Sequence, residues 1–475
     1  MVMFAANPAG VSGHPSLKLL AQEDRKLLRA FAGKSEIKEG LAHSVFLPSG
    51  RRALVIGKAK AEKFSNRKAI LAMRQAVAVA KREGFGTIQV FLDDFRVAAA
   101  EKTGDVAEQM ATQSEMANFD FVKYRTPPKG GWKFVQKVFV VSGSSASLSA
   151  RFARGKIVGE EINATRTLSN TPASDMSPAH LAAVAVALGR KHGFKVRVLQ
   201  VSEMKKLGMG GILGVGQGSE TPPRFIIMEY LKGKKGQKPV VLAGKGITFD
   251  SGGLNLKPSD HIYEMHMDMS GGAAVIHTIS ALARLKAKVN VVALVPAAEN
   301  MVSGRSYRPG DVLTTISGKT IEVMNTDAEG RVVLADTLGY SLRYKPRLVI
   351  DVATLTGAAM VALGQRASAL FATERAVEDR LREIGETTGD PVWPLPLWEE
   401  YEDDIKGTFG DVANSSKTRY GGAINGAMFL WQFIKDQSWV HLDIAPRMTA
   451  VEGEHLAKGA AGASVGLLVR FLEGF

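Results

Sequence analysis

The order of apolar and polar positions divides the first 150 residues into short alternating stretches. Apolar runs at 53–56, 87–92 and 134–141 predict β-strands, and residues 67–83 carry apolar positions at helical spacing. Alternation of strands and helices on this scale is typical of a small α/β domain. A serine-rich break at 143–149 follows and indicates that the domain ends there.

A long helical pattern at 150–168 comes after this break. It stops before Pro172, because proline restricts the residue before it and cannot continue a helix. We therefore interpret residues 150–169 as a linker helix between an N-terminal α/β accessory domain at 1–149 and a catalytic domain at 170–475. A chain of 475 residues is also longer than one hydrophobic core usually serves.

The remainder of the chain alternates amphipathic helices with strands that are apolar on both faces. Such strands predict a mixed, largely parallel sheet sandwiched between helices, with ligands at the carboxyl ends of the strands. The glycine-rich run at 208–218 fits no phosphate-binding pattern, and we interpret it as tight turns and close packing. The predicted helices are 178–192, 272–285 and 331–343, and the predicted strands are 195–199, 224–230, 239–243, 289–295 and 348–352.

Composition and charge limit which catalytic groups, metal ligands and partners the chain can have. The chain has no cysteine, which excludes thiol catalysis and thiolate metal ligands and leaves oxygen and nitrogen as metal donors. The net charge is +14, and the first 150 residues hold +10 of it, from 23 basic and 13 acidic residues. A basic block indicates either a solvated face or a nucleic-acid partner. No run of apolar residues is long enough for a membrane span and no secretory signal is visible, so we expect a cytoplasmic protein.

Three polar segments interrupt the apolar pattern near predicted strand ends and helix starts: 244–258, 265–272 and 325–331. Taken singly, their acidic residues could be helix N-terminal acids and their lysines could be surface residues. Together they would place several carboxylates and cations in one crevice at the strand ends. The residues concerned are Lys245, Asp250, Lys257, Asp268, Asp327, Glu329 and Arg331.

Four carboxylates in one crevice repel one another unless cations neutralise them, and two divalent metals would do so. Asp327 and Glu329 lie two residues apart, a spacing that points both side chains the same way in an extended segment. Lys245 could ligate a metal only as a neutral amine. Lys257 and Arg331 then remain as cations that could stabilise an oxyanion or hold a small anion.

Other catalytic patterns are missing from the sequence. There is no His-Glu-x-x-His helix and no Gly-x-Ser-x-Gly elbow, which argues against a zincin protease and a serine hydrolase. His266, two residues before Asp268, is either a metal ligand or a packing residue, and packing is the more common role. We interpret His441 as structural.

These residues and their spacing strongly resemble the leucyl aminopeptidase (cytosol aminopeptidase) family of dinuclear metallo-exopeptidases. The segment Asn-Thr-Asp-Ala-Glu-Gly-Arg at 325–331 matches the hallmark of that family, and the loop from Lys245 to Lys257 matches as well. The spacing from Lys245 through Asp250, Lys257 and Asp268 to Asp327 is 5, 7, 11 and 59 residues. The similarity runs from about residue 170 to the C-terminus, whereas the first 150 residues resemble the family only in size and pattern.

The resemblance implies a role for each site residue. One metal would be bound by Lys245, Asp250, Asp268 and Glu329, and a second, more exchangeable metal by Asp250, Asp327 and Glu329. Lys257 and Arg331 would be catalytic, with a bicarbonate ion near Arg331 as the general base. The substrate pocket would involve Met265, Asn325, Ala328, Thr354, Leu355 and Gly357.

The function implied is release of N-terminal residues, leucine and similar ones preferred, from peptides with a free N-terminus. The metals would be Mn²⁺ or Zn²⁺, with Co²⁺ or Mg²⁺ as further candidates, and the assembly a homohexamer built as a dimer of trimers. The alternative is a DNA-binding regulatory protein that uses its basic N-terminal domain. The chain departs from the usual family pattern at His266, Ser270 and Pro446.

Overall fold

The computed structural model describes residues 1–97, 102–143 and 147–474 and separates into two units. The first unit comprises Met1–Glu160 together with Glu452–Ala457, and the second comprises Glu161–Val451 and the chain from Lys458 onward. The division falls inside one helix of 22 residues, Ser149–Asn170, which covers the predicted linker helix. Among the described helices, none combines the length and the apolar content needed to cross a lipid bilayer.

The first unit is an α/β unit with two small sheets. Strand β3 lies between β1, which is parallel to it, and β2, which is antiparallel, while β4 and β5 form a parallel pair. Helices α3 and α4 cover these strands with a buried apolar face that includes Met73, Val77 and Met110. The elements are β1 (Val2–Ala5), α1 (Pro8–Ser12), α2 (Gln22–Lys34), β2 (Ala42–Phe46), β3 (Arg52–Gly57), α3 (Asn66–Arg82), β4 (Thr87–Phe91), α4 (Thr103–Asn118) and β5 (Lys137–Val141). Helix α5 (Ser149–Asn170) begins in the first unit and ends in the second.

The predicted strand at 134–141 is too long, because only Lys137–Val141 pairs with a neighbour. The Asn118 side chain accepts a hydrogen bond from the backbone N–H of Val135 (2.9 Å) and donates one to its carbonyl (2.8 Å). Both backbone polar groups of Val135 are therefore satisfied by a side chain, and no ladder partner is needed there.

The second unit is built around one large mixed sheet with helices on it. Its helices are α6 (Pro178–His192), α7 (Val201–Leu207), α8 (Gly210–Gly216), α9 (Ser259–Ile262), α10 (Ser270–Arg284), α11 (Glu329–Ser341), α12 (Gly357–Leu363), α13 (Arg375–Thr388), α14 (Gly422–Trp431) and α15 (Val465–Glu473). Its strands are β6 (Lys195–Leu199), β7 (Arg224–Leu231), β8 (Val240–Gly244), β9 (Gly246–Asp250), β10 (Asn290–Asn300), β11 (Val312–Thr314), β12 (Thr320–Glu322), β13 (Leu348–Ala353), β14 (Ser368–Ala372), β15 (Val392–Pro394), β16 (Val412–Ala413) and β17 (Trp439–Asp443).

The centre of the large sheet is parallel. The strand order is β15-β14-β17-β13-β8-β10-β7-β6, with β9 also pairing with β10, and β17, β13, β8 and β10 all run in the same direction. Antiparallel pairs occur on both sides, where β14 meets β17 and β7 meets β10 and β6. This arrangement confirms the predicted mixed, largely parallel sheet. Parallel strands end at the same edge, so their carboxyl ends form one crevice.

The glycine-rich run at 208–218 contains a helix, α8, so the prediction of tight turns is wrong. The packing part of that interpretation agrees with the contacts. A Cβ added at Gly210 would lie 2.1 Å from the carbonyl oxygen of Thr314, and one at Gly211 would lie 2.6 Å from that of Val332. The glycines allow this short helix to approach its neighbours at backbone distance, a requirement that helical periodicity does not reveal.

Candidate active site

Strand ends bring most of the predicted site residues together. Lys245 directly follows β8, Asp250 is the last residue of β9, and Thr354 directly follows β13. Asp268 closes the 3₁₀ turn Met265–Met267 just before α10. Glu329 is the first residue of α11. Four parts of the chain that are far apart in sequence, around residues 245–250, 268, 329 and 354, therefore supply one crevice.

Lys245 lies between two of the carboxylates. Its Nζ is 2.8 Å from Asp268 Oδ2 and 2.7 Å from Glu329 Oε1, and it donates a hydrogen bond to the carbonyl of Thr354 at 3.1 Å. Burial alone would lower the pKa of Lys245, but the charges of Asp268 and Glu329 outweigh it and raise the pKa above its usual value. Without metal, Lys245 is therefore a charged ammonium.

Lys257 occupies the equivalent position on the other side of the crevice. Its Nζ is 2.8 Å from Asp250 Oδ2 and 2.5 Å from Asp327 Oδ1. Burial opposes its charge, and the carboxylates of Asp250 and Glu329 nevertheless raise its pKa above the usual lysine range. The two lysines thus each bridge a different pair of acidic side chains.

The carboxylates outnumber the lysines in this crevice. With all six groups ionised, the four acids and two lysines carry a formal charge of −2. Burial, followed by the negative charge of neighbouring carboxylates, raises the pKa of Asp250 and also of Asp327. For Asp268, burial is again the main cause, and its pKa lies well above the usual range. Because acidic side chains outnumber basic ones in this cluster, it favours the binding of further cations.

The donor atoms fit divalent metal ions. Oxygens of Asp250, Asp327 and Glu329 lie within 4.8 Å of one another. Three of the carboxylate oxygens, Asp268 Oδ2, Asp327 Oδ1 and Glu329 Oε1, are buried and, among the described residues, have only a lysine ammonium within 2.8 Å. Converging carboxylate oxygens of this kind are what a hard or borderline metal requires.

Asp327 and Glu329 converge for a reason other than the one expected. The prediction of an extended segment is wrong, because Asp327 lies in a turn and Glu329 begins a helix. The Asn325 side chain accepts a hydrogen bond from the backbone N–H of Asp327 at 2.8 Å, which stabilises this turn. The turn, rather than the alternation of a strand, directs both carboxylates into the crevice.

Thr354 supports the metal-ligand candidates directly. Its hydroxyl donates a hydrogen bond of 2.7 Å to Asp268 Oδ1, while its carbonyl accepts the bond from Lys245. The family resemblance implies a place for Thr354 in the substrate pocket. In the structure its hydroxyl is directed at a carboxylate of the cluster, so Thr354 orients two candidate ligands at once.

Asp443 was missed by sequence reasoning. This buried carboxylate at the end of β17 accepts hydrogen bonds from the backbone N–H of Leu355 (3.0 Å), the hydroxyl of Thr356 (2.6 Å) and the backbone N–H of Ala445 (3.1 Å). It thereby holds the loop that follows Thr354. Its position at the carboxyl end of a parallel strand is the signal that could have identified it.

Asn300 was also missed, and it holds the other side of the cluster. Its Nδ2 donates hydrogen bonds to Asp250 Oδ1 at 2.8 Å and to the carbonyl of Thr326 at 2.9 Å. The hydroxyl of Tyr307 donates to the same carbonyl at 2.7 Å. Asn300 therefore connects the β9 loop to the turn that carries Asp327.

Arg331 lies on the first turn of α11, two residues after Glu329, and forms no ion pair with an acidic side chain among the described residues. One of its guanidinium nitrogens donates to the carbonyl of Asn414 at 2.9 Å, and its Nε is buried without a partner in the described part of the chain. Burial lowers the pKa of Arg331 to about 10. A Cβ added at Gly426 would lie 3.4 Å from its Nη2 and 3.2 Å from Leu355 Cδ2, so Arg331 and Leu355 lie on either side of this glycine.

The other substrate-pocket candidates lie on the loops around the cluster. Met265 is half-buried in its 3₁₀ turn, and Gly357 is exposed at the start of α12 with open space where a Cβ would be. Asn325 and Ala328 belong to the turn that carries Asp327.

The positions that depart from the family pattern have local structural partners. The hydroxyl of Ser270 donates to the carbonyl of Met267 at 2.6 Å and lies 3.0 Å from the hydroxyl of Ser169. Pro446 is accommodated in the 3₁₀ turn Ala445–Arg447. His266 lies in a 3₁₀ turn and not in a strand, so the argument that it shares a strand face with Asp268 is wrong. Burial lowers the pKa of His266.

His441 has the structural role that was predicted. It is fully buried, its Nδ1 lies 2.5 Å from Asp351 Oδ1, and its ring stacks on Phe371 and Trp439. Trp439 Nε1 donates to the other oxygen of Asp351 at 2.7 Å. The three residues form a buried polar cluster between neighbouring strands.

Comparison with known proteins gives matches over both units. The catalytic-domain model of the cytosol aminopeptidase family matches residues 163–469, and its N-terminal-domain model matches residues 29–128. A probable cytosol aminopeptidase of Azoarcus sp. (strain BH72) is 43% identical over 454 residues, 93% of this chain and 89% of its own length. One from Methylobacillus flagellatus is 40% identical over 436 residues, 91% of this chain and 87% of its own. Among solved structures, the bottromycin maturation enzyme BotP in complex with Mn superposes with a TM-score of 0.85 and 30% identity over 96% of both chains.

Proposed function

Because the chain belongs to the cytosol aminopeptidase family, a family of peptidases, we propose that it is a metal-dependent aminopeptidase that removes N-terminal residues, preferably leucine and similar apolar residues, from peptides. The observation that carries the proposal is the crevice in which four carboxylates converge on only two lysines. The DNA-binding alternative gains no support from these comparisons.

The residues of the crevice would hold two divalent metals, Mn²⁺ or Zn²⁺ first and Co²⁺ or Mg²⁺ as further candidates. Lys245, Asp250, Asp268 and Glu329 form one ligand set, and Asp250, Asp327 and Glu329 form the other. The convergence of oxygens from Asp250, Asp327 and Glu329 within 4.8 Å supports the shared set. The similar BotP structure is a complex with Mn, which supports the choice of manganese.

When bound, two such metals supply Lewis acidity and an activated water. The protein's own residues supply the rest. Lys257, held between Asp250 and Asp327, presents an ammonium to the crevice and would stabilise the oxyanion that develops on the scissile carbonyl. One well-placed donor of this kind contributes about 3–4 kcal/mol to transition-state stabilisation.

Arg331 would hold a bicarbonate ion at the other side of the crevice. Its buried Nε lacks a partner among the described residues, which leaves a donor available for an anion. A guanidinium that keeps its charge when buried is suited to charge-assisted, bidentate binding of a planar anion. Arg331 would thereby place a proton acceptor beside the reacting centre, where a proton can move from the water to the leaving amine.

The loops around the cluster would select the substrate. Met265, Asn325, Ala328, Thr354, Leu355 and Gly357 would contact the N-terminal side chain and the backbone of the peptide. Residues 1–149 would be an accessory domain, residues 150–169 a linker helix and residues 170–475 the catalytic domain. We also infer a cytoplasmic homohexamer, a dimer of trimers, by analogy with the family.

An assay on the purified full-length protein tests the proposal. The protein is stripped with a chelator, reloaded separately with Mn²⁺, Zn²⁺, Co²⁺ or Mg²⁺, and given chromogenic amides of leucine, alanine, arginine and glutamate. We expect hydrolysis that requires metal and is fastest for leucine. A matched amide with an acetylated N-terminus should not be cleaved. Failure to hydrolyse any free-amine substrate with every metal would refute the proposal.

A further inference from the structure

The edge of the large sheet opposite the candidate active site carries an unusual concentration of basic residues. Three connections lead into the parallel strands β8, β10 and β13 at this edge: 232–239, 284–290 and 342–348. They contain four, three and three basic residues respectively and no acidic residue. The net charge of the first 150 residues accounts for most of the surplus in the sequence, so this second concentration of basic residues was not predicted.

Backbone and side-chain hydrogen bonds join the three connections into one surface. The backbone N–H of Lys232 donates to the carbonyl of Val289 at 3.1 Å. The Asn290 side chain donates to the carbonyl of Lys234 at 3.2 Å. The backbone N–H of Arg347 donates to the carbonyl of Pro239 at 3.0 Å. We call this surface the basic edge.

Seven lysines of the basic edge are exposed and form no ion pair with any acidic side chain among the described residues. Arg284 is excluded because it pairs with Glu161 at 2.8 Å. A solvated face that only maintains solubility usually mixes both signs of charge. The seven are Lys232, Lys234, Lys235, Lys238, Lys286, Lys288 and Lys345.

A cavity of about 680 Å³ adjoins the basic edge and continues its charge. Four lysines line it, Lys238, Lys319, Lys345 and Lys435, and Asp436 is the one acidic residue among its lining residues. Lys435 pairs with Glu402 at 2.6 Å, which leaves three lysines without an acidic partner among the described residues. The cavity is too large for a single small anion. This shape suits an extended anion that passes several cations.

Two of the lysines occupy positions where glycine is the usual residue. Lys286 and Lys345 have φ angles of 53° and 47°, in the left-handed region, and each ends a helical segment. After α6 and α13 the chain uses glycine in that conformation, at Gly193 and Gly389. A side chain is strained there, and the helix dipole offsets only part of the cost. Lysine at both positions therefore adds charge to the basic edge at the expense of local backbone stability.

We propose that the basic edge binds inorganic polyphosphate, a linear chain of phosphates. No aromatic side chain of the three connections is exposed on which nucleic-acid bases could stack, which favours polyphosphate over a nucleic acid. Many exposed, unpaired cations spread over three loops match a polyanion, whose binding releases one counterion for almost every phosphate contacted. The connections and their flanks expose only two large apolar side chains, Leu231 and Leu342, which argues against insertion into a membrane.

Fluorescence anisotropy with labelled inorganic polyphosphate and, separately, a labelled single-stranded oligonucleotide tests this proposal on the full-length protein. The variant Lys235→Gln, Lys288→Gln, Lys345→Gln removes three charges from the basic edge. Its control, Lys18→Gln, Lys26→Gln, Lys63→Gln, removes three exposed charges from the first unit. We expect the edge variant to bind at least about tenfold more weakly than wild type at 0.1 M salt. The slope of log K against log salt concentration should become less steep by about 2 to 3. The control should bind within about twofold of wild type.

A second variant separates binding from folding. Lys286→Gly with Lys345→Gly should leave the Tm unchanged or raise it by about 2 °C, because the backbone strain is relieved, while it weakens binding of the phosphate chain. Hydrolysis of leucine amide should not change in either edge variant, since the active site lies at the other edge. Tighter binding of the oligonucleotide than of polyphosphate would overturn the proposal. Absence of polyphosphate binding at about 50 mM salt, or equal loss in edge variant and control, would also overturn it.

Discussion

Thr354→Val is the substitution that most directly tests how the candidate metal centre is held together. Valine has nearly the shape of threonine, so the change removes the hydroxyl and leaves the packing in place. The hydroxyl donates a hydrogen bond of 2.7 Å to Asp268 Oδ1, and both residues are buried. The bond from Lys245 to the backbone carbonyl of residue 354 does not depend on the side chain.

The expected magnitude follows from that geometry. A hydrogen bond to a charged, buried carboxylate contributes about 1.5–3 kcal/mol, and its loss leaves Asp268 Oδ1 with one donor fewer. If the lost free energy appears as metal affinity, each 1.4 kcal/mol corresponds to a tenfold change in Kd. We therefore expect the metal ligated by Asp268 to bind about 10- to 100-fold more weakly, the range typical of residues that orient metal ligands.

The assay measures metal affinity and activity separately. Stripped protein is titrated with Mn²⁺ or Zn²⁺ in the presence of a competing chelator, and leucine amide hydrolysis is followed as a function of free metal. The variant should need more metal for half-maximal activity but approach the wild-type rate at saturation. Thr354→Ser is the matched control, because it keeps the hydroxyl and should keep the affinity.

One result would refute this reasoning. If Thr354→Val bound both metals within about twofold of wild type while retaining its Tm, the hydroxyl would not orient a ligand. A fall in kcat at saturating metal with unchanged affinity would instead support the substrate-pocket role that the resemblance assigns to Thr354.

Three further predictions concern the same crevice. Lys257→Ala should lower kcat by at least about 100-fold, consistent with the loss of an oxyanion donor, while the bound metal content stays at wild-type level; a wild-type kcat would exclude the role. Asp443→Asn should raise the KM for leucine amide and lower the Tm. Leu355 and Thr356 donate to different oxygens of Asp443, and asparagine keeps only one oxygen, so one hydrogen bond worth about 1–3 kcal/mol is lost. An unchanged KM would contradict this prediction. In the metal-free protein Lys245 is protonated, because its carboxylate neighbours raise its pKa despite burial, and metal binding must displace that proton. The Kd for metal should therefore fall about tenfold for each unit by which the pH rises between 6 and 8. A Kd independent of pH would exclude Lys245 as a ligand.

The candidate site residues were predictable from the sequence because their residue types and spacing are visible without coordinates. Lysine and aspartate in a glycine-containing loop after an apolar strand are unusual enough to be recognised without coordinates, and Lys245, Asp250 and Asp268 indeed converge. The mixed sheet was predictable for a related reason. Strands that are apolar on both faces can be stable only when helices cover both sides.

The geometry within the site was less predictable. Asp327 and Glu329 reach the crevice through a turn and a helix start, although their spacing suited a strand equally well. The helix in the glycine-rich run escaped notice because glycine lowers helix propensity, and close packing against Thr314 and Val332 overrides that preference. Local patterns could not distinguish these cases, since the deciding contacts come from residues far away along the chain.

The amino-acid sequence by itself therefore determined which residue types are available for chemistry and which segments form the sheet. Only the tertiary structure decided which of them meet. It places the Thr354 hydroxyl on Asp268, the Asp443 carboxylate under the loop at 355–356, and three basic connections side by side at the far edge of the sheet. The physical reason is that parallel strands place their carboxyl ends at one edge of the sheet and their amino ends at the opposite edge. The acidic crevice and the basic edge are therefore each formed by several segments that are far apart in the sequence.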